Sequence, residues 1–424
     1  MTHTPHNAAL RGLLDSYLPA LARKEGLALE TITEALRAGT MALLGNPAHT
    51  GLEPVLIGQP AKVKVNANIG VSPLCNNPGT EGRKLKAALD AGADTIMDLS
   101  IAGDLDAIRL SMLAACPVPL GTVPLYAVGQ RIIDSGADIA AMRPDDLFGE
   151  IEKQARQGVD FMTVHCGISR RAADMAVGAN RVLGVVSRGG SMLVRWMAEN
   201  NRENPLLDDF DRLLEICLPY NVTLSLGDGL RPGSGADAGD AAQWEEVINL
   251  GRLCRYAAER GVQCMIEGPG HVPLNQVRAQ IQGIKRLTAN APLYVLGPLC
   301  CDSAPGYDHI AGAIGGAVGV EAGVDFLCYL TPAEHLTLPD VDDVRAGVMA
   351  SRVAAHVGEV ALGLPHALAR EAAMNKARKA LDWEGMTNAA LDPGPVCERR
   401  KDHKDEEVCA MCGKFCAVKM VQGL

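Results

Sequence analysis

The sequence predicts an α/β protein built on a (β/α)8 barrel, with a small N-terminal domain before the barrel and a C-terminal arm after it. Short apolar runs alternate with helical stretches from about residue 63 onward. These runs are continuously apolar, as parallel strands buried on both faces are. Most of them end in polar or glycine-rich residues. Functional residues concentrated at the carboxyl ends of strands are typical of a (β/α)8 barrel.

Three domains are predicted along the 424 residues of the chain. Residues 1–60 form the N-terminal domain, residues 61–360 the barrel and residues 361–424 the arm. Leucines at helical spacing predict helices within residues 9–44. The glycines and prolines of residues 45–62 indicate a connector between these helices and the barrel.

Nine apolar runs compete for the eight strands of the barrel, so one run must lie outside it. The nine runs are Val63–Ile69, Thr95–Leu99, Val118–Val123, Phe161–Cys166, Val182–Val186, Val222–Leu226, Cys264–Glu267, Tyr294–Leu296 and Phe326–Leu330. The alternative fold is a doubly wound open sheet, but no G-x-G-x-x-G motif follows the first strand.

Composition excludes several classes of partner. A net charge of −10 argues against a nucleic-acid partner, which would require a basic face. No secretory signal opens the chain and no apolar run has the length of a membrane span, so no membrane partner is expected. The thirteen cysteines do not form a disulfide framework, which predicts a reducing compartment, the cytoplasm.

Three cysteines near the C-terminus suggest an inorganic centre. Cys409, Cys412 and Cys416 lie within eight positions of a polar tail. A closed iron–sulfur or zinc site normally has four protein ligands, so three thiolates suggest a cluster with one iron open to a small molecule. The alternatives are a structural zinc site completed by Cys397 or His403, and thiols without a metal.

Two histidines follow predicted strands and are candidate ligands of a divalent metal. His271 ends the string Glu267-Gly-Pro-Gly-His271, and His335 follows another strand directly. Strand ends of one barrel meet on one face, so both imidazoles can reach a shared ion. The alternative is that each is an ordinary structural histidine.

Two glycine-rich loops are candidate phosphate sites. They are Ser187-Arg188-Gly189-Gly190-Ser191 and the loop Gly227–Gly233, which contains Asp228 and Arg231. Successive glycine amides can surround an anion, and an arginine can add a bidentate contact. Ordinary βα turns are the alternative. Further polar residues at strand ends are Asn66, Asn68, Asp98, Ser100, Tyr126 and His165.

Together these motifs resemble the thiamin pyrimidine synthase family of radical S-adenosylmethionine enzymes, in its short form. The likeness runs from about residue 60 to the end of the chain. The matching strings are Val65-Asn-Ala-Asn-Ile-Gly70, Ala93-Asp-Thr-Ile-Met-Asp-Leu-Ser100, Gly121-Thr-Val-Pro-Leu-Tyr126, Val186-Ser-Arg-Gly-Gly-Ser191, Ser225-Leu-Gly-Asp-Gly-Leu-Arg-Pro-Gly233, Met265-Ile-Glu-Gly-Pro-Gly-His-Val-Pro273, Ala304-Pro-Gly-Tyr-Asp-His309 and Leu327-Cys-Tyr-Leu-Thr-Pro332.

The resemblance implies a barrel enzyme whose C-terminal arm carries a [4Fe-4S] cluster and reaches the barrel of the partner in a homodimer. Cys409, Cys412 and Cys416 match the cluster ligands. The open iron is expected to hold S-adenosylmethionine, whose reductive cleavage yields a 5′-deoxyadenosyl radical. The implied substrate is 5-aminoimidazole ribotide, and the implied electron donor is a ferredoxin or flavodoxin.

The family's site residues carry over position by position. His271 and His335 match its metal ligands, with zinc as the expected ion. Glu267 is expected to handle protons, with Asp228 and Tyr126 as further catalytic residues. The expected substrate contacts are Asn68, Met97, Tyr126, His165, Ser187, Arg188, Gly189, Gly190, Asp228, Arg231, Glu267 and Tyr294.

Two strings depart from the usual family pattern. Ile101 and Ala102 stand where the pyrimidine synthases usually have Thr-Gly. Cys300 and Cys301 stand where they usually have Thr or Val-Thr before an aspartate. A sister branch converts the same substrate into 5-hydroxybenzimidazole, a precursor of cobamides, with release of formate. Because the changes fall in catalytic loops, that product is expected here; the alternative is 4-amino-5-hydroxymethyl-2-methylpyrimidine phosphate.

Two other classes of protein remain open. One is a zinc-dependent barrel lyase whose cysteine tail holds a structural metal, and it predicts activity without S-adenosylmethionine. The other is a non-enzymatic iron–sulfur carrier, which the polar residues at the strand ends disfavour.

Overall fold

The structure is a computed structural model that describes residues 7–75, 77–178 and 180–421. The chain divides into two compact units, with the boundary between Gly358 and Glu359. The first unit holds the N-terminal helices and all the strands of the described residues. The domain boundaries placed at residues 60 and 360 stay predictions.

The described residues form ten strands. They are β1 Ala42–Leu44, β2 Val55–Ile57, β3 Lys64–Ile69, β4 Thr95–Asp98, β5 Leu120–Thr122, β6 Phe161–Val164, β7 Thr223–Leu226, β8 Cys264–Gly268, β9 Leu293–Leu296 and β10 Phe326–Cys328. Strands β3 to β10 close a barrel in sequence order, and every neighbouring pair is parallel, including β10 with β3. The predicted (β/α)8 barrel is therefore confirmed.

Helices follow and flank the strands. They are α1 Ala8–Glu25, α2 Leu29–Ala38, α3 Pro78–Asp90, α4 Leu105–Ala115, α5 Pro124–Asp134, α6 Pro144–Gln157, α7 Arg170–Gly178, α8 Arg188–Asn200, α9 Pro205–Asp208, α10 Phe210–Cys217, α11 Ala241–Glu259, α12 Leu274–Leu287, α13 Asp308–Ala322, α14 Val341–Ala361, α15 Pro365–Ala380, α16 Trp383–Ala389, α17 Pro393–Arg400 and α18 Ala417–Met420. In the described part of the chain, no helix is long and apolar enough to cross a membrane.

Local sequence explains where many helices begin and end. The side chain of Asn7 accepts the N–H of Leu10 at the start of α1, and Gly26 ends that helix with φ at +72°. Asp104 and Asp240 cap α4 and α11 in the same way. Such caps satisfy backbone groups that a helix end leaves without partners.

The apolar run Val182–Val186 is not a strand, so it is the one of the nine candidates that lies outside the barrel. Val182 and Leu183 are 67 % and 55 % exposed. Their N–H groups donate to the carboxylate of Asp237 and not to a neighbouring strand. The segment therefore runs over the surface toward α8, and its apolar composition does not indicate burial.

A small antiparallel hairpin replaces part of the expected helices and connector. Ala42–Leu44 pairs with Val55–Ile57, although helix was expected through residue 44. Hydrogen bonds join backbone N–H groups of the hairpin to the side chains of residues just before two barrel strands. The N–H of Leu43 donates to Gln263 Oε1 at 2.8 Å, and the N–H of Asn46 donates to Asp160 Oδ1 at 2.7 Å. The hairpin thus packs at the amino-terminal ends of the strands.

His49 fastens this hairpin to the barrel. Its Nδ1 lies 2.7 Å from Asp160 Oδ2, and its Nε2 lies 3.0 Å and 2.9 Å from the carbonyl oxygens of Leu113 and Cys116. Because both ring nitrogens face acceptors, this geometry favours the doubly protonated imidazolium. Burial alone would lower the pKa of His49, but the hydrogen bond and charge of Asp160 outweigh it and raise that pKa.

Aromatic rings fill the barrel interior beneath the carboxyl ends of the strands. The ring of Tyr294 stacks on that of Phe326 at 4.2 Å, and Phe161 meets Phe326 edge-on at 6.4 Å. Gly121 of β5 makes room for this layer, because a Cβ there would lie 2.3 Å from the Phe161 ring. Side chains two residues further along the same strands consequently lie above a packed floor.

Candidate active site

A cavity opens at the carboxyl ends of the barrel strands, above the aromatic layer. Eight of the twelve predicted substrate contacts line it, namely Asn68, Met97, Tyr126, His165, Asp228, Arg231, Glu267 and Tyr294. The sequence did not single out the other lining residues, which are Leu99, Val123, Thr163, Gly268, Val295, Leu296 and Cys328. The other four predicted contacts lie in the loop that begins α8.

Two hydroxyl groups hold Glu267 in this cavity. Thr163 Oγ1 and Ser225 Oγ donate to Glu267 Oε1 at 2.7 Å and 2.6 Å. Neither of these two hydrogen bonds reaches Oε2. Burial and then the charge of Asp228 raise the pKa of Glu267 to about 7, although both hydroxyls lower it. A carboxyl group that titrates near neutrality can act as both acid and base.

Asp228 is the second carboxylate of the cavity and is paired with Arg231. Its Oδ1 accepts a hydrogen bond from Arg231 Nη1 at 3.2 Å. Its Oδ2 is buried and has no hydrogen-bond partner within the described residues. Burial raises the pKa of Asp228 to about 6, and the nearby guanidinium opposes that rise. The free oxygen can therefore accept a hydrogen bond from a bound molecule.

The ring of His165 is held between two glycine backbones. A Cβ at Gly189 would lie 2.3 Å from His165 Cε1, and a Cβ at Gly227 would lie 3.0 Å from Cδ2. Ser187 Oγ lies 3.1 Å from Nε2, while Nδ1 is buried without a partner in the described structure. Burial, aided by the charge of Arg231, lowers the pKa of His165 to about 3. His165 thus presents a neutral imidazole.

The start of α8 brings positive charge to one side of the cavity. Ser187 caps this helix by accepting the N–H of Gly190 at 3.1 Å. The Arg188 guanidinium lies 4.8 Å from the centre of the Tyr126 ring. Burial raises the pKa of Tyr126, against the opposing effect of Arg188. Because a helix N-terminus and a guanidinium both favour anions, this loop retains the character of a phosphate site.

The second predicted phosphate loop does not offer its amides to a ligand. The N–H groups of Gly229 and Leu230 donate to Glu246 Oε1 and Oε2 at 2.9 Å and 2.8 Å. Glu246 belongs to α11 and is 1 % exposed. The protein therefore supplies its own anion here, and the prediction of an anion site formed by the amides of this loop is wrong. Asp228 and Arg231 of the same loop do line the cavity.

The opposite wall is a network of amide, phenol and thiol groups. Asn66 Nδ2 donates to Asn68 Oδ1 at 2.7 Å and to the Tyr294 hydroxyl at 2.9 Å. Asn68 Nδ2 donates in turn to Cys328 Sγ at 3.0 Å. Burial raises the pKa of Cys328 to about 12, so this sulfur is a neutral thiol. The network fixes the Asn68 and Tyr294 side chains before any ligand binds.

Two residues of the predicted polar set serve local structure. Asp98 Oδ1 accepts the N–H of Ser100 at 2.9 Å, and Ser100 Oγ accepts the N–H of Val71 at 3.1 Å. Neither residue lines the cavity described above. They shape the turn after β4.

His271 and His335 come together, with ring centres 5.3 Å apart. Nδ1 of His271 lies 2.8 Å from Asp302 Oδ1, and Nδ1 of His335 lies 3.1 Å from Asp308 Oδ1. Carboxylates on Nδ1 are the usual supports of metal-binding histidines, because they leave Nε2 to face an ion. The donor chemistry thus fits a divalent metal.

A metal at the two histidines would need further ligands. No group of three or more His, Cys, Asp or Glu side chains that could hold a metal ion occurs in residues 7–75, 77–178 and 180–421. Water or a bound molecule would have to complete the coordination.

The cysteines of the arm follow one another through a short turn. Gly413 N–H donates to the carbonyl of Cys409 and Cys416 N–H to that of Gly413. Hydrogen bonds from backbone N–H groups at Cys412 and Met411 lower the pKa of Cys409, which favours the thiolate that binds metals. Three thiols in one turn suit a cluster, although across the described residues they do not form a closed metal-binding group.

The four departures from the family pattern lie in different surroundings. Ile101 lines a second cavity, which it shares with Arg188 and His335. Ala102 belongs to the apolar core outside the barrel. Cys300 Sγ contacts the carbonyl of Ala311 at 3.2 Å, so it faces α13. Cys301 is exposed. Of the four, Ile101 is the one that lines either of these two cavities.

Strand periodicity could have revealed two of the missed site residues. Thr163 lies two positions before His165, and residues at this spacing face the same side of a strand. Ser225 is the register partner of Thr163 on the neighbouring strand β7. Glu246 gave no such signal, because it lies on a helix, 17 residues after Gly229, where strand periodicity does not apply.

Comparisons with known proteins agree with this architecture. The chain matches the model of the radical SAM ThiC family over residues 4–423. It is 49 % identical over 416 residues to a phosphomethylpyrimidine synthase of Desulforudis audaxviator, covering 98 % of this chain and 96 % of that protein. It is also 49 % identical over 415 residues to a protein of the same name from Dehalococcoides mccartyi, with coverages of 98 % and 96 %.

Solved structures show a more distant likeness. Dihydropteroate synthase from Thermus thermophilus has a TM-score of 0.44 and 13 % identity, covering 75 % of this chain and 99 % of that one. A likeness of this size has no bearing on function. The family model and the relatives named above match nearly the whole chain. This protein therefore belongs to the radical SAM ThiC family, whose members use a [4Fe-4S] cluster and S-adenosylmethionine.

Proposed function

We propose that this chain is a phosphomethylpyrimidine synthase, which converts 5-aminoimidazole ribotide into 4-amino-5-hydroxymethyl-2-methylpyrimidine phosphate. The supporting observation is its 49 % identity, over 98 % of its length, to proteins of that name. The relatives favour this product over 5-hydroxybenzimidazole, which the departures at Ile101, Ala102, Cys300 and Cys301 had suggested.

The start of α8 binds the phosphate of the ribotide in this proposal. Ser187, Arg188, Gly189 and Gly190 supply helix amides and a guanidinium on one side of the cavity. Arg231 adds a second guanidinium from the loop after β7. Because the N–H groups of Gly229 and Leu230 already donate to Glu246, the phosphate lies toward α8.

The imidazole end of the ribotide lies against the carboxylates. Glu267 transfers protons through Oε2, and Asp228 accepts a hydrogen bond at its free Oδ2. Tyr126 is the third proposed catalytic group, since its buried hydroxyl lines the same cavity. The remaining proposed substrate contacts are Asn68, Met97, His165 and Tyr294.

Two inorganic sites complete the proposal. Cys409, Cys412 and Cys416 would hold the [4Fe-4S] cluster, and His271 and His335 would hold one divalent ion, zinc being the first candidate. When bound, the cluster and S-adenosylmethionine supply the one-electron chemistry that starts the rearrangement. The protein's own residues orient the ribotide and exchange its protons.

The decisive test is an anaerobic assay of the cluster-reconstituted protein with 5-aminoimidazole ribotide, S-adenosylmethionine and a strong reductant. Mass spectrometry should detect the aminopyrimidine phosphate. Detection of 5-hydroxybenzimidazole would instead place the protein in the sister branch, with Ile101 the first residue to exchange for Thr. Turnover without S-adenosylmethionine would point to a zinc-dependent lyase.

Replacing Glu267 by Gln should abolish product formation while leaving the fold intact. The substitution is nearly isosteric, but the amide cannot exchange protons near neutral pH. Circular dichroism and ribotide binding check that the barrel is unchanged. Product formation at the wild-type rate in Glu267→Gln would remove this residue from the mechanism.

The proposed partners are the ribotide, a ferredoxin or flavodoxin as electron donor, and a second copy of this chain that exchanges its arm. The resemblance to the family supports the dimer. Subunits carrying Cys412→Ala should be mixed with subunits carrying Glu267→Gln. If arms are exchanged, each mixed dimer regains one complete site and activity returns. If each arm serves its own barrel, the mixture stays inactive.

A further inference from the structure

We infer that Thr163 and Ser225 are positioning residues for Glu267, which together fix its Oε1 and leave Oε2 as the atom that exchanges a proton with the substrate. This inference deepens the proposed function and rests on it for the role of Glu267. It concerns two hydroxyl groups that lie below the ring of predicted substrate contacts.

Strand register explains why both hydroxyls reach the same oxygen. Thr163 and Ser225 are directly opposite each other on β6 and β7. Ser225 is in turn opposite Met265 on β8, two residues before Glu267. Residues two apart on a strand face the same side, so the side chain of Glu267 lies on the same face of the sheet as the hydroxyls of Thr163 and Ser225. The resulting distances to Oε1 are 2.7 Å and 2.6 Å.

The two hydrogen bonds distinguish the oxygens of Glu267. A hydroxyl has a single proton to donate, and both protons are directed at Oε1. A neutral Glu267 that keeps both of these hydrogen bonds carries its proton on Oε2. Both hydrogen bonds that the described residues make to this side chain end on Oε1, and Glu267 lines the cavity. The side chain thus presents a proton to the substrate without rotating.

Charged and titratable groups surround Glu267 on every side of the barrel mouth. From the neighbouring strands and loops these are Asp228, Arg231, Tyr126, His165, Tyr294 and Cys328. Burial and the charge of Asp228 raise the pKa of Glu267, whereas the two hydroxyls and Arg231 lower it. Removing either hydroxyl should therefore raise that pKa further, because each stabilises the ionised form.

The experiment uses the full-length protein in four variants. Thr163→Val and Ser225→Ala each remove one hydroxyl, and Thr163→Ser keeps it. Thr223→Val is the matched control, because the Thr223 hydroxyl is buried in the same strand as Ser225 and has no partner in the described part of the chain. The carbonyl stretching band of protonated Glu267 is followed by infrared spectroscopy against pH, assigned by its absence in Glu267→Gln.

We expect a titration midpoint near pH 7 in the wild type, in line with the pKa of Glu267 of about 7. Loss of a hydroxyl should move the midpoint upward by about one pH unit. Thr163→Ser and Thr223→Val should stay at the wild-type value. In the reconstituted enzyme, the pH profile of product formation should move by the same amount in Thr163→Val and Ser225→Ala.

An unchanged infrared midpoint in Thr163→Val and Ser225→Ala would overturn the inference. Two hydroxyl-removing variants are used so that the test still decides if one of them does not fold. A midpoint that also moves in Thr223→Val would overturn it, since the loss of any buried hydroxyl in the barrel would then have the same effect. A shifted midpoint with an unchanged pH profile would support the positioning role and contradict the proposed role of Glu267. The two failures are therefore distinguishable.

Discussion

The barrel cavity and the cysteine arm are prepared for chemistry in different ways. In the barrel, Glu267 is held by two hydroxyls and Asp228 by a guanidinium. In the arm, Cys412 is exposed, and the neighbouring Met411 and Phe415 are 91 % and 82 % exposed. The barrel groups therefore have their geometry before anything binds, whereas the thiols would acquire theirs from the proposed cluster.

The arm keeps its own local structure around one aromatic residue. Trp383 Nε1 donates to the carbonyl of Glu407 at 3.0 Å, and the Arg400 guanidinium lies 3.9 Å from the centre of the Trp383 ring. These contacts hold the segment just before Cys409. The arm thus has ordered surroundings next to its proposed cluster ligands.

The largest expected effect is the loss of the cluster in Cys412→Ala. Iron content and the visible absorbance of the reconstituted protein should disappear, because two thiolates cannot hold the centre. Thermal unfolding of the barrel should be unchanged, as the mutation removes no buried contact there.

The matched control is Cys397→Ala, which also removes an exposed arm cysteine. It should retain both iron and colour. A protein that binds zinc and no iron, and loses the zinc in Cys397→Ala, would replace the cluster with a structural zinc site.

The next effect tests whether the barrel site depends on a group outside the cavity. Glu246→Gln places an amide where two N–H donors converge, so one donor loses its acceptor. The loop carrying Asp228 and Arg231 should shift, and kcat/KM should fall about 10- to 100-fold.

Glu245→Gln is the control for this prediction, because Glu245 is the sequence neighbour of Glu246 and pairs at 3.5 Å with the exposed Arg171. Steady-state kinetics of both variants provide the measurement. Equal activities in the two variants would show that the loop is held without Glu246.

A smaller effect concerns the close contact between the two glycine loops. A Cβ at Gly190 would lie 2.4 Å from the carbonyl oxygen of Gly229, which is backbone and cannot move aside easily. Gly190→Ala should therefore destabilise the barrel by about 1–3 kcal/mol. Gly12→Ala, on the exposed face of α1 with no atom within 4 Å, should stabilise it by about 0.5–1 kcal/mol. Urea unfolding measures both, and equal shifts would contradict the contact.

The smallest effect is a pH dependence at the amino-terminal end of the barrel. Because the folded-state pKa of His49 is raised, its stabilising contribution is complete below the unfolded value of about 6.5 and is lost as pH rises through the folded value. The urea midpoint of His49→Gln should accordingly approach that of the wild type as pH increases. His403→Gln, at an exposed arm residue, should show no such convergence. A difference that grows with pH would contradict the cationic state.

The parts predicted from sequence were those with a strong local pattern. Eight apolar runs were placed correctly because parallel strands buried on both faces leave continuous apolar segments. The carboxyl ends of these strands share one edge, so the alignment of Asn68, His165 and Glu267 in one cavity followed from the fold.

Contacts between distant segments were not predictable in this way. Val182–Val186 has the composition of a strand, but its amides are satisfied by the Asp237 carboxylate. The glycine loop after β7 looked like a phosphate site because its sequence does not show that Glu246 already occupies two of its amides. In each case a side chain from another element took the hydrogen bonds that the local sequence left open.

The hairpin at the amino-terminal ends of the strands has a kinetic consequence. With His49 and Asp160 fastened there and the stacked rings of Tyr294 and Phe326 above them, a ligand can enter and leave the cavity by its mouth. Whatever binds deepest must then arrive first and depart last. If the proposed ribotide is the substrate, steady-state kinetics should accordingly follow a compulsory order, with the ribotide binding first and its rearranged product leaving last.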